Sequence, residues 1–106
     1  MVTQEKINAI VNIIISQHQP VRIILFGSCA CNNFSQDSDV DIVVVKDTDK
    51  PRFKRGNEIR KSLIGIGVPI DLLVYTTAEY EDAINTRFSF LSMALKNSRI
   101  LYEKQS

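Results

Sequence analysis

The sequence predicts an α/β fold of the α+β kind, a small three-stranded mixed sheet with helices packed on it. Three short β-branched apolar runs, at residues 21–26, 40–45 and 69–75, read as strands. Helical periodicity flanks and separates them. The two connections also differ. The first strand reaches the second through about a dozen mostly small and polar residues, whereas a full helix separates the second from the third. A parallel pair needs such a helical crossover, and the crossover is right-handed. Strands two and three are therefore expected parallel, with strand one antiparallel to strand two.

Ile7, Ile10/Val11 and Ile14 recur at helical spacing, so about residues 3–17 form an amphipathic helix. Thr3 suits its N-cap, and Pro20 ends it. The first strand, Val21 to Phe26, is punctuated by Gly27. Residues 28–38 can hold one short helical turn, with Ala30 and Phe34 as anchors. The second strand, Val40 with Ile42 to Val45, is apolar on both faces and hence central. Residues 46–51 are a charged turn. Arg52 to Ile64 reads as a helix stopped by Gly65 and Gly67. Pro69 to Tyr75 is the third strand. Thr76 or Thr77 can cap a helix over about 78–84, and Arg87 to Asn97 forms a last helix with Phe88, Leu91 and Ala94/Leu95 on one stripe. Ile100-Leu101-Tyr102 packs back on the domain as a strand or a loose end.

A chain of 106 residues is one domain, 1–106. Hydrophobic residues, at 44%, are too many for a disordered chain, and they are too interrupted to span a membrane. A net charge of +1 argues against a dedicated nucleic-acid binder. It does not exclude a nucleotide, whose charge metal ions can meet. Cys29 and Cys31 are too close for a good disulfide, and His18 is the single histidine, too little for a zinc site. The first 17 residues lack a signal-peptide core, so a reducing cytoplasm is the expected compartment.

The predicted topology gathers chemistry at one sheet edge. Gly27-Ser28 ends strand one, Asp39 and Asp41 open strand two, and Asp71 lies near the start of strand three. With strands one and two antiparallel and two and three parallel, all of them meet. Residues i and i+2 of a strand share a face, so Asp39 and Asp41 can share divalent cations. Two Mg²⁺ ions held about 3.5–4 Å apart clamp the attacking and leaving oxygens of a displacement at phosphorus. Gly27 lets backbone approach a ligand closely, and the following N–H groups with the Ser28 hydroxyl can cradle phosphate oxygens.

Leu25-Phe26-Gly27-Ser28, ten intervening residues, then Asp39-Val40-Asp41 resembles the signature of the DNA polymerase β-type nucleotidyltransferase superfamily. Asp71, within Pro69 to Val74, matches the third carboxylate of that family. Length and element order resemble the minimal nucleotidyltransferases over about residues 5–100. The resemblance implies a polymerase β-like nucleotidyltransferase fold. It implies that Gly27 and Ser28 bind the phosphates of ATP or another NTP. It also implies that Asp39 and Asp41 ligate two Mg²⁺ ions, and that Asp71 ligates the catalytic metal and helps deprotonate the acceptor hydroxyl. Family members of this size pair with a helical HEPN protein as antitoxins, some by moving AMP from ATP onto a tyrosine of that partner. A hetero-oligomer with a HEPN-type partner is therefore implied. One departure is visible: Cys31-Asn32 stands where the family commonly has Arg-Gly. Arg52, Lys54 or Arg55 could supply charge in its place.

Competing readings of these residues are weaker. Asp37 to Asp41 opens like an EF-hand loop, but Ile42 and Thr48 occupy the positions that need Gly and Glu. Ser28 lacks a Gly-x-Ser-x-Gly elbow, and no Walker A run occurs. The cations from Lys50 to Lys61 read as a solvated helix face. Phe88, Phe90 and Leu91 read first as core and second as a partner surface. Two functional alternatives stay open. One is a fold-retaining subunit that neutralises its partner by binding alone; the other is transfer to a small molecule or an RNA end. A chain this short leaves no room for an acceptor domain, so a partner or oligomer is expected to complete the cleft.

Overall fold

The computed structural model describes residues 2–31 and 39–105. Eight main elements follow in order: α1 (Gln4–His18), β1 (Arg22–Phe26), β2 (Val40–Val45), α2 (Arg52–Ser62), β3 (Ile70–Tyr75), α3 (Thr77–Asn85), α4 (Phe90–Ala94) and β4 (Arg99–Glu103). A 3₁₀ turn, Ser28–Cys31, follows β1. Phe34, expected as an anchor, and Asn32 lie outside the described residues.

Local chemistry sets the helix boundaries. Thr3 Oγ1 accepts a hydrogen bond from the Lys6 amide at 3.2 Å, which satisfies an otherwise orphaned donor at the start of α1. Gln19 takes a left-handed conformation and ends the helix ahead of Pro20. Thr76 and Glu79 form a complete capping box at the start of α3. Arg55, from α2, reaches the same Glu79 and ties the two helices.

The sheet order is β3-β2-β1-β4. As expected, β1 and β2 are antiparallel and β2 and β3 are parallel. β2 is central, and its Ile42, Val43, Val44 and Val45 are fully buried. Helices cover both faces. On one face Ile7, Ile10 and Ile14 of α1, with Ile59 of α2, pack on Ile23, Leu25, Ile42 and Val44. On the other face Tyr80 of α3 and Leu91 of α4 pack on Ile24, Val43 and Val45.

Three expectations are corrected. The sheet has four strands, not three, because Arg99–Glu103 pairs antiparallel with β1. Without it β1 would present an open edge, with a row of unpaired backbone groups. The tail run Ile100-Leu101-Tyr102 is too short to declare its state locally, and its partner is far away in sequence. The last helix is also shorter than Arg87 to Asn97. Phe88 adopts a left-handed φ of 63°, and Ser89 then caps α4 by accepting from the Ser92 amide at 3.0 Å. Only Leu91 of the expected stripe is fully buried, while Phe88 is 71% exposed. α2 likewise stops at Ser62, two residues before Ile64.

The core makes a direct prediction. Ile10→Ala empties a fully buried site beneath α1, so it should cost about 2–5 kcal/mol. Ile100→Ala on β4, where the side chain is 58% exposed, should cost no more than about 1 kcal/mol, closer to a surface change. Urea denaturation of both variants checks the contrast.

Candidate active site

The end of the sheet where β1 finishes and β2 and β3 begin carries the predicted residues. β2 and β3 run in register, with Asp41 directly beside Asp71. In-register residues of neighbouring strands project to the same face, so both carboxylates lie on the α3/α4 side with Val43 and Leu73. On the other side of β2, Asp41 pairs with Phe26, and the chain then turns at Gly27. The Val40 amide donates to the Pro69 carbonyl at 2.9 Å and pins the starts of β2 and β3 together.

Gly27 is required by geometry. Its φ is +74°, and a Cβ built on it would collide with Oδ2 of Asp41. The turn therefore lies directly against that carboxylate. The Ala30 amide donates to the Gly27 carbonyl at 3.1 Å and closes the turn. Ser28 opens the 3₁₀ turn immediately beyond.

Asp39 sits just ahead of β2 and is exposed, as is Asp71; Asp41 is half-buried. Burial first, and then the charges of Asp71 and Asp39, push the Asp41 carboxyl above its usual range. The three predicted carboxylates thus share one electrostatic site. Among the described residues no three His, Cys, Asp or Glu side chains are drawn close enough to form a metal cage as they stand. Mutual repulsion of like charges opposes such closure until a cation enters. The donor set itself, carboxylate oxygens on adjacent strands with the Gly27 turn against one of them, fits Mg²⁺ and disfavours softer metals.

The substitutes considered for the missing Arg-Gly lie elsewhere. Arg52 stacks over the Tyr75 ring, and Arg55 pairs with Glu79. Tyr75 is four residues along β3 from Asp71, roughly 13 Å at strand rise. Lys54 lies over the Phe53 ring on α2. Position Asn32 lies outside the described residues.

Two contacts at the site were not read from sequence. Cys29 is fully buried, and its thiol donates to the Asp39 carbonyl at 3.3 Å, tying the turn to the segment that carries the carboxylates. Phe90 of α4 meets Phe26 edge-to-face, with centroids 6.3 Å apart, and places an aromatic wall beside Asp41. Both contacts join residues distant in sequence, so no local pattern could announce them.

A family model for the nucleotidyltransferase domain matches residues 7–102, nearly the whole chain. The chain belongs to the nucleotidyltransferase domain family. This nucleotidyltransferase is 35% identical over 82 residues to a Methanocaldococcus jannaschii protein provisionally named a protein adenylyltransferase, covering 76% of this chain and 77% of that one. Its fold also matches solved structures. A Sulfolobus solfataricus protein provisionally described as a nucleotidyltransferase aligns at TM-score 0.65 and 18% identity, over 94% of this chain and 79% of its own. A toxin–antitoxin structure with AMP-PNP aligns at 0.65 and 17%, over 98% and 76%. A mutant form of the MntA–HpeT toxin–antitoxin pair aligns at 0.63 and 19%, over 99% and 76%. At these identities the structural matches speak for the fold, which is the α+β nucleotidyltransferase fold expected from the motif. Among the described residues no helix is long and apolar enough to cross a membrane.

The raised Asp41 carboxyl sets a pH dependence. An acid whose folded pKa is raised holds its proton more tightly folded than unfolded. Its contribution to stability is therefore fully present below the unfolded pKa and is lost as pH rises through the folded one. In metal-free buffer Asp41→Asn should be more stable than wild type at neutral pH, with the difference shrinking as pH falls through the raised folded pKa of Asp41 and gone below the unfolded value of about 3.9. Denaturation midpoints of both proteins across that range check it; a pH-independent difference would contradict it.

Proposed function

We propose that the chain transfers a nucleoside monophosphate, AMP from ATP, to a hydroxyl of a partner protein. The acceptor in this reading is a tyrosine of a HEPN-type helical toxin, and the chain acts as its antitoxin in the cytoplasm. The observation that carries the proposal is the in-register placement of Asp41 beside Asp71, with the Gly27 turn against Asp41. The name of the M. jannaschii relative supports a protein acceptor, and the toxin–antitoxin structures that share the fold support a toxin as partner.

In this reading the Gly27 backbone and Ser28 hold the β- and γ-phosphates. Asp39 and Asp41, with Asp71, hold two Mg²⁺ ions, which when bound neutralise phosphate charge and orient the attacking and leaving oxygens. Asp71 accepts the proton of the acceptor hydroxyl. The acceptor oxygen forms its bond to the α-phosphorus while the bond to the bridging oxygen breaks, and pyrophosphate leaves.

A second reading has its own observation. Cys31-Asn32 replaces the Arg-Gly of the family, and Arg55 is committed to Glu79 at the other end of β3. Loss of a phosphate-binding cation would leave a subunit that neutralises its partner by binding alone.

Labelled ATP, Mg²⁺ and a HEPN-type partner protein, sought in the adjacent gene, separate the two. The proposal expects label on the partner, lost by at least a hundredfold in Asp39→Asn/Asp41→Asn, about 2.7 kcal/mol or more of transition-state stabilisation, while the complex still forms. No label with any NTP, together with neutralisation that survives in the double variant, would establish the binding subunit instead.

A further inference from the structure

The α3–α4 corner presents apolar side chains that the core does not use. Ile84, Phe88, Phe90 and Met93 are 39%, 71%, 61% and 49% exposed. Phe90 and Met93 are three residues apart on α4 and therefore share a face. Ile84, Phe88 and Met93 line a shallow groove of about 390 Å³ between α3 and α4. Its charged lining residues are Arg87 and Lys96, both cations, with no carboxylate among them.

Phe88 makes this corner more than a stray apolar patch. A bulky residue at φ 63° sits in a region that L side chains avoid. Strain of this sort, observed at an exposed aromatic, points to a role at the surface. The left-handed residue turns the chain between α3 and α4 and leaves the ring outside, beneath the Arg87 guanidinium at 4.9 Å. The patch is also continuous with the active site. Met93 leads to Phe90, Phe90 meets Phe26, and Phe26 pairs with Asp41.

We infer that the α3–α4 groove is the docking surface for the acceptor protein, and that it takes a helix with an apolar face flanked by carboxylates. The inference rests on the protein-acceptor reading above and adds to it where the partner sits and what chemistry it presents. Charge complementarity selects the occupant: an apolar lining that carries two cations and no carboxylate fits an apolar stripe with acidic flanks. Two cations around Ile and Met side chains are a poor match for RNA, which needs a track of positive charge along its phosphates. A partner seated here lies alongside the Phe26–Phe90 wall, so its hydroxyl can enter the carboxylate site while its helix stays in the groove.

The test uses the full chain and two fluorescein-labelled synthetic helical peptides. They share one stripe of Leu and Phe with a single Tyr, and are flanked by Glu in one and by Lys in the other. An oligouridine RNA is the third probe, and a fluorescent ATP analogue with Mg²⁺ is measured in parallel. The Glu peptide should bind at least tenfold more tightly than the Lys peptide. Arg87→Glu/Lys96→Glu should reverse that preference. Phe88→Asn/Met93→Ser should weaken the Glu peptide at least tenfold, and Asn suits the left-handed backbone, so the turn is retained. Both variants should bind the ATP analogue as wild type does. Equal binding of the two peptides, indifference to the charge reversal, or tighter binding of the RNA would each overturn the inference. Analogue binding without peptide selectivity defeats the docking surface and leaves nucleotide transfer standing. Peptide selectivity without analogue binding upholds the docking surface and defeats nucleotide transfer.

Discussion

Two carboxylates held side by side on parallel strands are the constraint around which this fold is organised. Asp41 and Asp71 occupy matching positions of β2 and β3, and the backbone ladder allows neither to drift from the other. Burial of Asp41 first, and then the like charges beside it, raise the free energy of its ionised form, as its upward shift records. Packing elsewhere must absorb that cost. It does so through β2, whose remaining side chains are buried on both faces between α1 and α2 on one side and α3 and α4 on the other. A one-residue slip of β2 would drive Asp41 into one of those cores, so burial enforces the register that the chemistry needs.

The remaining parts of the site follow from that register. β1 must end where Asp41 begins, and it can turn there only with a residue that lacks a Cβ, which makes Gly27 obligatory at φ +74°. The turn is then secured by the buried Cys29 thiol on the Asp39 carbonyl. β4 closes the free edge of β1 and carries the chain back across the sheet. α4 arrives by way of the strained Phe88 and sets Phe90 on Phe26. A chemically demanding centre thus stands at the end of the sheet, with an apolar corner adjoining it.

Much of this was legible in the sequence, for identifiable reasons. Thr3 and Thr76, the latter one of two caps the sequence offered, are local capping signals, and local signals survive into the fold. The contrast between a polar connection and a helical one determined the strand directions, and with them the meeting of Gly27, Asp41 and Asp71. β4 was ambiguous because a five-residue strand draws its stability from a partner more than seventy residues away. The last helix was overextended because Phe88 carries no sign of a left-handed backbone; tertiary packing overrode a helical apolar spacing there. The bond from Cys29 to Asp39 and the Phe26–Phe90 contact depend wholly on tertiary proximity. The departure at Cys31-Asn32 was plain in the sequence, and the structure adds that Arg52 and Arg55 are engaged at the far end of β3.

The central claim is that the Gly27 turn, Asp39, Asp41 and Asp71 form one divalent-cation and triphosphate site. Backbone-amide NMR with trace Mn²⁺ in place of Mg²⁺, and a non-hydrolysable ATP analogue, tests it most directly, since paramagnetic broadening falls steeply with distance from the ion. The account predicts that the amides of residues 27–29, 39–42 and 70–72 broaden first, and that Asp41→Asn abolishes the effect. Broadening centred instead on the acidic residues of α3, or spread evenly over the surface carboxylates and unchanged by Asp41→Asn, would contradict it.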